Sequence, residues 1–267
     1  MPGGVNFEQV WKFQIQCMMS NQFVPLIKAI NNKSQEDVIV SCLRLGWNDA
    51  FKHVSENTQN FNTEKNNDRK NELVNKACKN LVCFFENYAK EKNYTDRFSN
   101  LNGLIKNPAF VGIFKGIKEV ASKKYPLCLG HIQKMFNITM KVLLCLIVSA
   151  EHASSQGLKV KLGEVNGNNV YLTDCGSSGI RLLSYANFNY EFDTADCPID
   201  HIILTCIDRK VSPPTYTIWD HKKYAEIVWS KMGGAENAQN YISAQQEIEH
   251  IQSDPTKSNL YFDFENW

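Results

Sequence analysis

One stretch constrains this chain more than any other. From about Gly130 to His152 the residues follow a helical pattern, and Ile138, Val142, Cys145 and Leu146 continue it towards a core. The run Val142–Ala150 has no polar break wider than one serine. A helix this apolar has to be enclosed by the rest of the chain. The run itself is shorter than the roughly 20 residues a bilayer span needs. The expectation is therefore a mainly α, helical globular fold built around this helix.

The flanking sequence supplies amphipathic helices. Phe7, Val10, Trp11, Ile15, Met18 and Met19 have helical spacing within residues 7–30. Ser34-Gln-Glu-Asp37 resembles a capped helix start leading into Val38, Ile39, Cys42 and Leu43. Residues 54–68 are polar and Asn-rich and read as loop. A strong helix is expected from about Asp68 to Lys92, with Leu73, Val74, Ala77, Leu81, Phe84, Phe85 and Tyr88 on its buried face. Residues 93–108 read as a turn-rich connection, followed by a helix from Phe110 to Lys124 bearing Lys115, Lys118, Lys123 and Lys124.

After His152 the period changes. Leu158-Lys-Val-Lys-Leu and Asn169-Val-Tyr-Leu-Thr flank Asn166-Gly167, a strong two-residue turn signal. One β-hairpin, at about 157–173, is thus expected to interrupt the helices. Residues 174–196 read as loop. Asp196-Cys-Pro-Ile-Asp200 then starts a helix, with Asp196 as N-cap and Pro198 in the first turn. Ser212-Pro-Pro214 ends it, and helices near 220–232 and 235–252 follow, divided by Gly233-Gly234. The aromatic tail Leu260–Trp267 is expected to pack back on the body. The chain reads as a single helical domain, or as two lobes, 1–125 and 126–267.

Composition narrows the function classes. The chain has 267 residues, 43% hydrophobic and 21% charged, enough for a core of ordinary size. A net charge of +1 counts against broad phosphate gripping, so a nucleic-acid role has to rest on a local patch. Nine cysteines, with no Cys-x-x-Cys pair, sit mostly among apolar residues. They fit buried thiols in a reducing compartment, and the spacing of Cys78 and Cys83 does not fit the common structural zinc sites. The N-terminus lacks a basic region followed by an apolar run, as a signal peptide would have. These features imply no metal, no cofactor and no membrane, and a cytoplasmic location (nuclear in a nucleated cell).

Two motifs carry chemical interest. Leu129-Gly130-His131-Ile132-Gln133-Lys134 opens the apolar helix, and Cys197-Pro198-Ile199-Asp200-His201 opens a later one. A helix N-terminus disfavours a further cation, so a partly desolvated Lys134 would have a lowered pKa and act as an amine nucleophile. The structural alternative is that it reaches to solvent. Asp200, favoured by the helix dipole, would be held ionised and suited to stabilising a developing positive charge. Asn137 and Lys141 share a helix face four residues apart.

Gly-x-x-x-Lys opening an apolar helix, with a later Pro-Ile-Asp-His, resembles the helix-hairpin-helix DNA glycosylases, in particular the 8-oxoguanine glycosylase branch. That family carries Leu-Pro-Gly-Val/Ile-Gly-x-Lys and Pro-Val-Asp-x-His/Arg. The resemblance implies that Lys134 is the Schiff-base lysine and Asp200 the catalytic aspartate. It implies a DNA base-excision N-glycosylase with AP-lyase activity, acting on a base flipped out of DNA or another nucleic acid. Gln133, His131, Asn137, His201 and Trp229 would then meet the substrate, with Phe262 and Trp267 as further stacking candidates. Gly130, Lys123, Lys124 and Lys141 would meet the backbone. The chain departs from the family pattern at Ile132, where the second hairpin glycine stands, at Leu129, where proline stands, and in a longer Lys–Asp separation.

A second resemblance is to small uncharacterised bacterial proteins. It rests on Gln133-Lys134-x-x-Asn137-x-Thr139-x-Lys141, Cys-Pro-Ile-Asp and an acidic-aromatic C-terminus. It implies that these features belong to one site. The competing expectation is a non-catalytic helical interaction module in a defence or regulatory system, with Lys134 and Asp200 far apart.

Overall fold

The computed structural model describes residues 23–51, 64–104, 106–112, 115, 129–172, 183, 185–211, 238–252, 254 and 256–266. Residues 7–22 of the helical stretch expected within 7–30, residues 54–63 of the loop expected over 54–68, and the helix expected near 220–232 lie outside them; residues 64–68 are helical, not loop. The fold is mainly α, with one inserted two-stranded antiparallel hairpin.

Among the described residues, helices α1 (Phe23–Asn31), α2 (Gln35–Ala50), α3 (Glu64–Lys90) and α4 (Tyr94–Leu104) precede the apolar one. Ser34 caps α2, its Oγ accepting from the Asp37 N–H at 3.2 Å, as the sequence predicts. The helix expected from Asp68 begins earlier, at Glu64. Helix α4 occupies the stretch read as a turn-rich connection. Asn93 Oδ1 accepts from the Asp96 N–H at 2.9 Å, and Phe98, Leu101 and Leu104 bury one face. Three apolar positions among Asn, Ser and Gly are too few for the periodicity to announce itself. Of the helix expected over Phe110–Lys124, residues 110–112 and 115 are described and helical, with Lys115 exposed.

Helix α5 (Leu129–Ser155) is the axis of the fold. It is buried on nearly all sides from Ile132 to Ala150. By length and composition the whole helix could cross a membrane, which the run Val142–Ala150 alone does not show. Of its most apolar window, 89% is buried inside the fold, as in a core helix. Helix α2 makes the most extensive packing against it.

The hairpin pairs β1 (Lys161–Val165) with β2 (Asn168–Tyr171), Val165 opposite Asn168. Asn166 and Gly167 both have positive φ, 50° and 80°, the conformation that favours Asn-Gly in a right-twisted two-residue turn. The sheet lies on α1: Gly163 faces Ile27 so closely that a Cβ would come within 2.7 Å of the Ile27 Cδ1.

The chain continues through a short helix α6 (Tyr185–Phe188), a single turn at Phe192–Thr194, then α7 (His201–Val211), α8 (Ala238–Gln252) and α9 (Asn259–Glu265). The expected packing of the tail is seen in α9, where Leu260 and Phe262 are fully buried.

Candidate functional site

Residues 195–200, which contain the Cys-Pro-Ile-Asp motif, form an extended segment lying against α5 and α8. An extended segment next to helices has backbone groups that no ladder satisfies. Here side chains take the place of a neighbouring strand. Gln133 Nε2 donates to the Ile199 carbonyl at 2.8 Å, and its Oε1 accepts from the Ile199 N–H at 3.3 Å. Gln245 does the same for Cys197, donating to its carbonyl at 2.8 Å and accepting from its N–H at 3.1 Å. The Leu260 N–H donates to the Ala195 carbonyl at 3.0 Å. Alternate residues are thus tied by α5, α8 and α9.

Asp196 does not cap α7, contrary to the sequence expectation. It is buried in an ion pair with Arg97 of α4 at 2.6 Å, both side chains 1% exposed. Tyr241 donates to its second oxygen at 2.6 Å, and Tyr88 lies 3.3 Å from the same oxygen. Burial is the largest influence on the Arg97 pKa and acts to lower it, but the Asp196 charge, Tyr88, Tyr241 and the hydrogen bond to Asp196 together outweigh it, and the net shift is upward. Burial, followed by the Asp196 charge, holds the Tyr88 and Tyr241 hydroxyls well above the ordinary tyrosine range. Asn137 completes the network, accepting from the Tyr88 hydroxyl at 2.6 Å and donating to the Cys197 carbonyl at 3.3 Å.

The cap of α7 is Asp200. Its Oδ1 accepts from the Ile202 and Ile203 N–H groups at 2.9 and 3.0 Å. Its Oδ2 lies 3.1 Å from Lys134 Nζ. Asp49, near the end of α2, lies on the same amine at 2.8 Å. The structure therefore brings together the two residues singled out from the motifs and adds a third, Asp49, on a helix that carries neither of the two motifs. The Lys134 side chain is 13% exposed, Asp200 20% and Asp49 54%, so this cluster reaches solvent at one edge.

The protonation expected for Lys134 is corrected. Desolvation lowers its pKa, but Asp49 and then Asp200 more than offset it, and the net shift is upward. The helix-end argument fails because Lys134 is the sixth residue of α5, past the first turn, and faces two carboxylates. At neutral pH it is an ammonium ion.

Other sequence candidates fall in three groups. Gln133, Asn137 and Lys141, expected at substrate or backbone, are buried. Lys141 pairs with Asp263 of α9 at 2.6 Å and lies 4.4 Å from the centre of the Phe264 ring. Gly130 is buried within the first turn of α5, and Phe262, a stacking candidate, is fully buried; none of these five faces solvent. His131 is half-buried, its ring stacked on Phe51 at 5.1 Å, and His201 is exposed at the start of α7. Lys123, Lys124, Trp229 and Trp267 lie outside the described residues.

Among the described residues no group of three or more His, Cys, Asp or Glu side chains is placed to hold a metal ion. Cys78 is fully buried, its thiol pushed up to about 12 by burial against the opposing pull of Arg44, while Cys83 is exposed. No family model, no curated protein and no solved structure matches this chain.

Proposed function

We propose that the chain is a base-excision N-glycosylase with Lys134 and Asp200 as its reacting pair. The observation that supports this reading is the 3.1 Å contact between them at a partly exposed edge, made by two motifs far apart in sequence. In the reaction, Lys134 gives its proton to solvent. Its Nζ forms a bond to the sugar C1′ as the C1′–N bond to the base breaks. The bonding pair leaves with the base, which takes up a proton, and the new secondary ammonium loses one. Asp200, fixed by two backbone N–H groups, stabilises the positive charge that develops on the sugar and on nitrogen. Ring opening then gives a Schiff base, from which strand cleavage follows.

A raised lysine pKa makes the free amine scarce at neutral pH, so the attack is expected to quicken with alkalinity. Borohydride trapping tests the reading. Mixing the protein with a lesion-bearing or abasic duplex and sodium borohydride should give a covalent adduct, absent in Lys134→Gln. With no adduct at any pH up to 10 and no base release lost in Asp200→Asn, the reading is discarded.

A second reading is carried by what the motif residues already do. Gln133, Asn137 and Lys141 are occupied inside the protein, and Asp200 has both carboxylate oxygens engaged. The wide separation of Lys134 and Asp200 expected for a non-catalytic helical module is not what the structure has, since they lie 3.1 Å apart; on this second reading the two motifs instead form a structural clasp in such a module. It predicts that Lys134→Gln lowers stability and leaves every nucleic-acid readout unchanged.

A further inference from the structure

The two carboxylates on Lys134 differ in kind. Asp200 is immobilised: one oxygen caps α7 and the other meets the amine. Asp49 is 54% exposed and sits in the last turn of α2, with solvent available to its side chain. Its position depends on Gly46, one turn earlier, which lets α2 approach the α5 backbone at Met135, the residue after Lys134. The fold thus brings a rotatable carboxylate onto an amine already held by a fixed one. A single carboxylate would suffice to balance the Lys134 charge, so structural charge pairing alone does not call for Asp49.

We propose that Asp49 is a positioning residue that restrains the Lys134 amine, withholding it from an electrophilic carbon until the Asp49 side chain swings away. Restraint and release here act on an amine that, among the described residues, meets Asp49 from α2 and Asp200 from the cap of α7. When Asp49 turns to solvent, Lys134 loses one of its carboxylates, gives up its proton more readily and is less restrained towards the open edge. A substrate group that engages Asp49 would release the amine only when that substrate is in place. The inference deepens the catalytic reading of Lys134 and takes its purpose from it, but the reactivity it predicts belongs to the amine itself.

The test uses the full chain without nucleic acid. Formaldehyde and sodium cyanoborohydride are applied from pH 7 to 10. The amine and aldehyde condense to an imine with loss of water, and hydride from the reagent reduces the imine. Peptide mass spectrometry reads the rate at Lys134, with exposed Lys90 as the internal reference. The wild-type chain should label Lys134 much more slowly than Lys90. Asp49→Asn should raise the Lys134 rate by about fivefold below pH 9 and move its pH profile to lower values, the size expected for an exposed carboxylate at this distance. Asp49→Ala provides a second variant with the same expected direction. Asp200→Asn keeps a good capping residue and shows what the fixed carboxylate alone contributes. A Lys134 rate unchanged or lowered in both Asp49 variants, with Lys90 unaffected, overturns the proposal. Failure to trap a nucleic-acid adduct would remove the glycosylase reading and leave this result standing.

Discussion

Gly46 faces Met135 at the crossing of α2 and α5: a Cβ at position 46 would stand 2.5 Å from the Met135 carbonyl oxygen and 2.8 Å from Thr139 Oγ1. The obstacle is mainly backbone, which cannot rotate away. Gly46→Ala gains roughly 1 kcal/mol in helix propensity. The clash costs more, and a net loss of about 2 kcal/mol is expected from overpacking. The helices must also separate near Asp49, so the variant should label faster at Lys134. Urea unfolding checks the first effect; a midpoint equal to the wild type would show that the crossing relaxes without strain.

The pair Arg97–Asp196 should be the most sensitive polar contact among the described residues. Arg97 also donates to the carbonyls of Thr194 and Glu91, so it cannot follow its partner to solvent. Asp196→Asn leaves a buried guanidinium without a counter-charge, and a loss of about 3–5 kcal/mol is expected. Apolar replacement of both partners often restores stability in other buried pairs. Here Arg97→Met with Asp196→Leu should remain destabilised, because Tyr88 and Tyr241 lose their shared acceptor. Denaturant midpoints of the three proteins decide this, and recovery to wild-type stability in the double variant would contradict the network.

Local signals were enough for the parts of this fold that local chemistry specifies. Asn166-Gly167 demands positive φ, and the hairpin turns there. Ser34 and the apolar run of α5 mark a helix start and a buried axis. What escaped sequence reasoning depends on residues distant in the chain. Asp49 sits on α2 with nothing in its neighbours to connect it to Lys134. The partner of Asp196 lies in α4, whose few apolar positions hid the helix itself, although Asn93 and Asp96 at capping distance were a usable sign. Asp196 and Asp200 are both plausible caps by residue type. Only the burial of Arg97 shows which of them the core consumes and which is left to cap α7.

Gln133 is expected to matter through the backbone of Ile199. Gln133→Leu fills similar space but leaves both backbone groups of Ile199 without their side-chain partner in a dry setting. Each unsatisfied buried group costs about 1–3 kcal/mol, and a total of about 2–6 kcal/mol is expected for the two. Amide hydrogen exchange locates the effect. Protection should fall at Ile199 and in the first turn of α7, where Asp200 is held, and persist in the hairpin. Uniform loss across the chain, or none at Ile199, would refute the assignment of Gln133 as the tie.

The stability contributed by Lys134 should depend on pH in one direction. Its folded-state pKa is raised above the unfolded value of about 10.4, so the charged amine is favoured by folding. Such a group contributes fully below the unfolded pKa, and its contribution disappears as pH rises through the folded one. Lys134→Met removes both ion pairs, and a cost of about 1–2 kcal/mol is expected at neutral pH, given that Asp49 is exposed. The difference between wild type and variant should be constant from pH 7 to 9 and shrink above pH 10.5. Other lysines and tyrosines titrate in both proteins and cancel in the difference. Chemical denaturation at pH 7, 9 and 11.5 measures it, and a gap that widens at pH 11.5 would mean that the amine is stabilised in its neutral form.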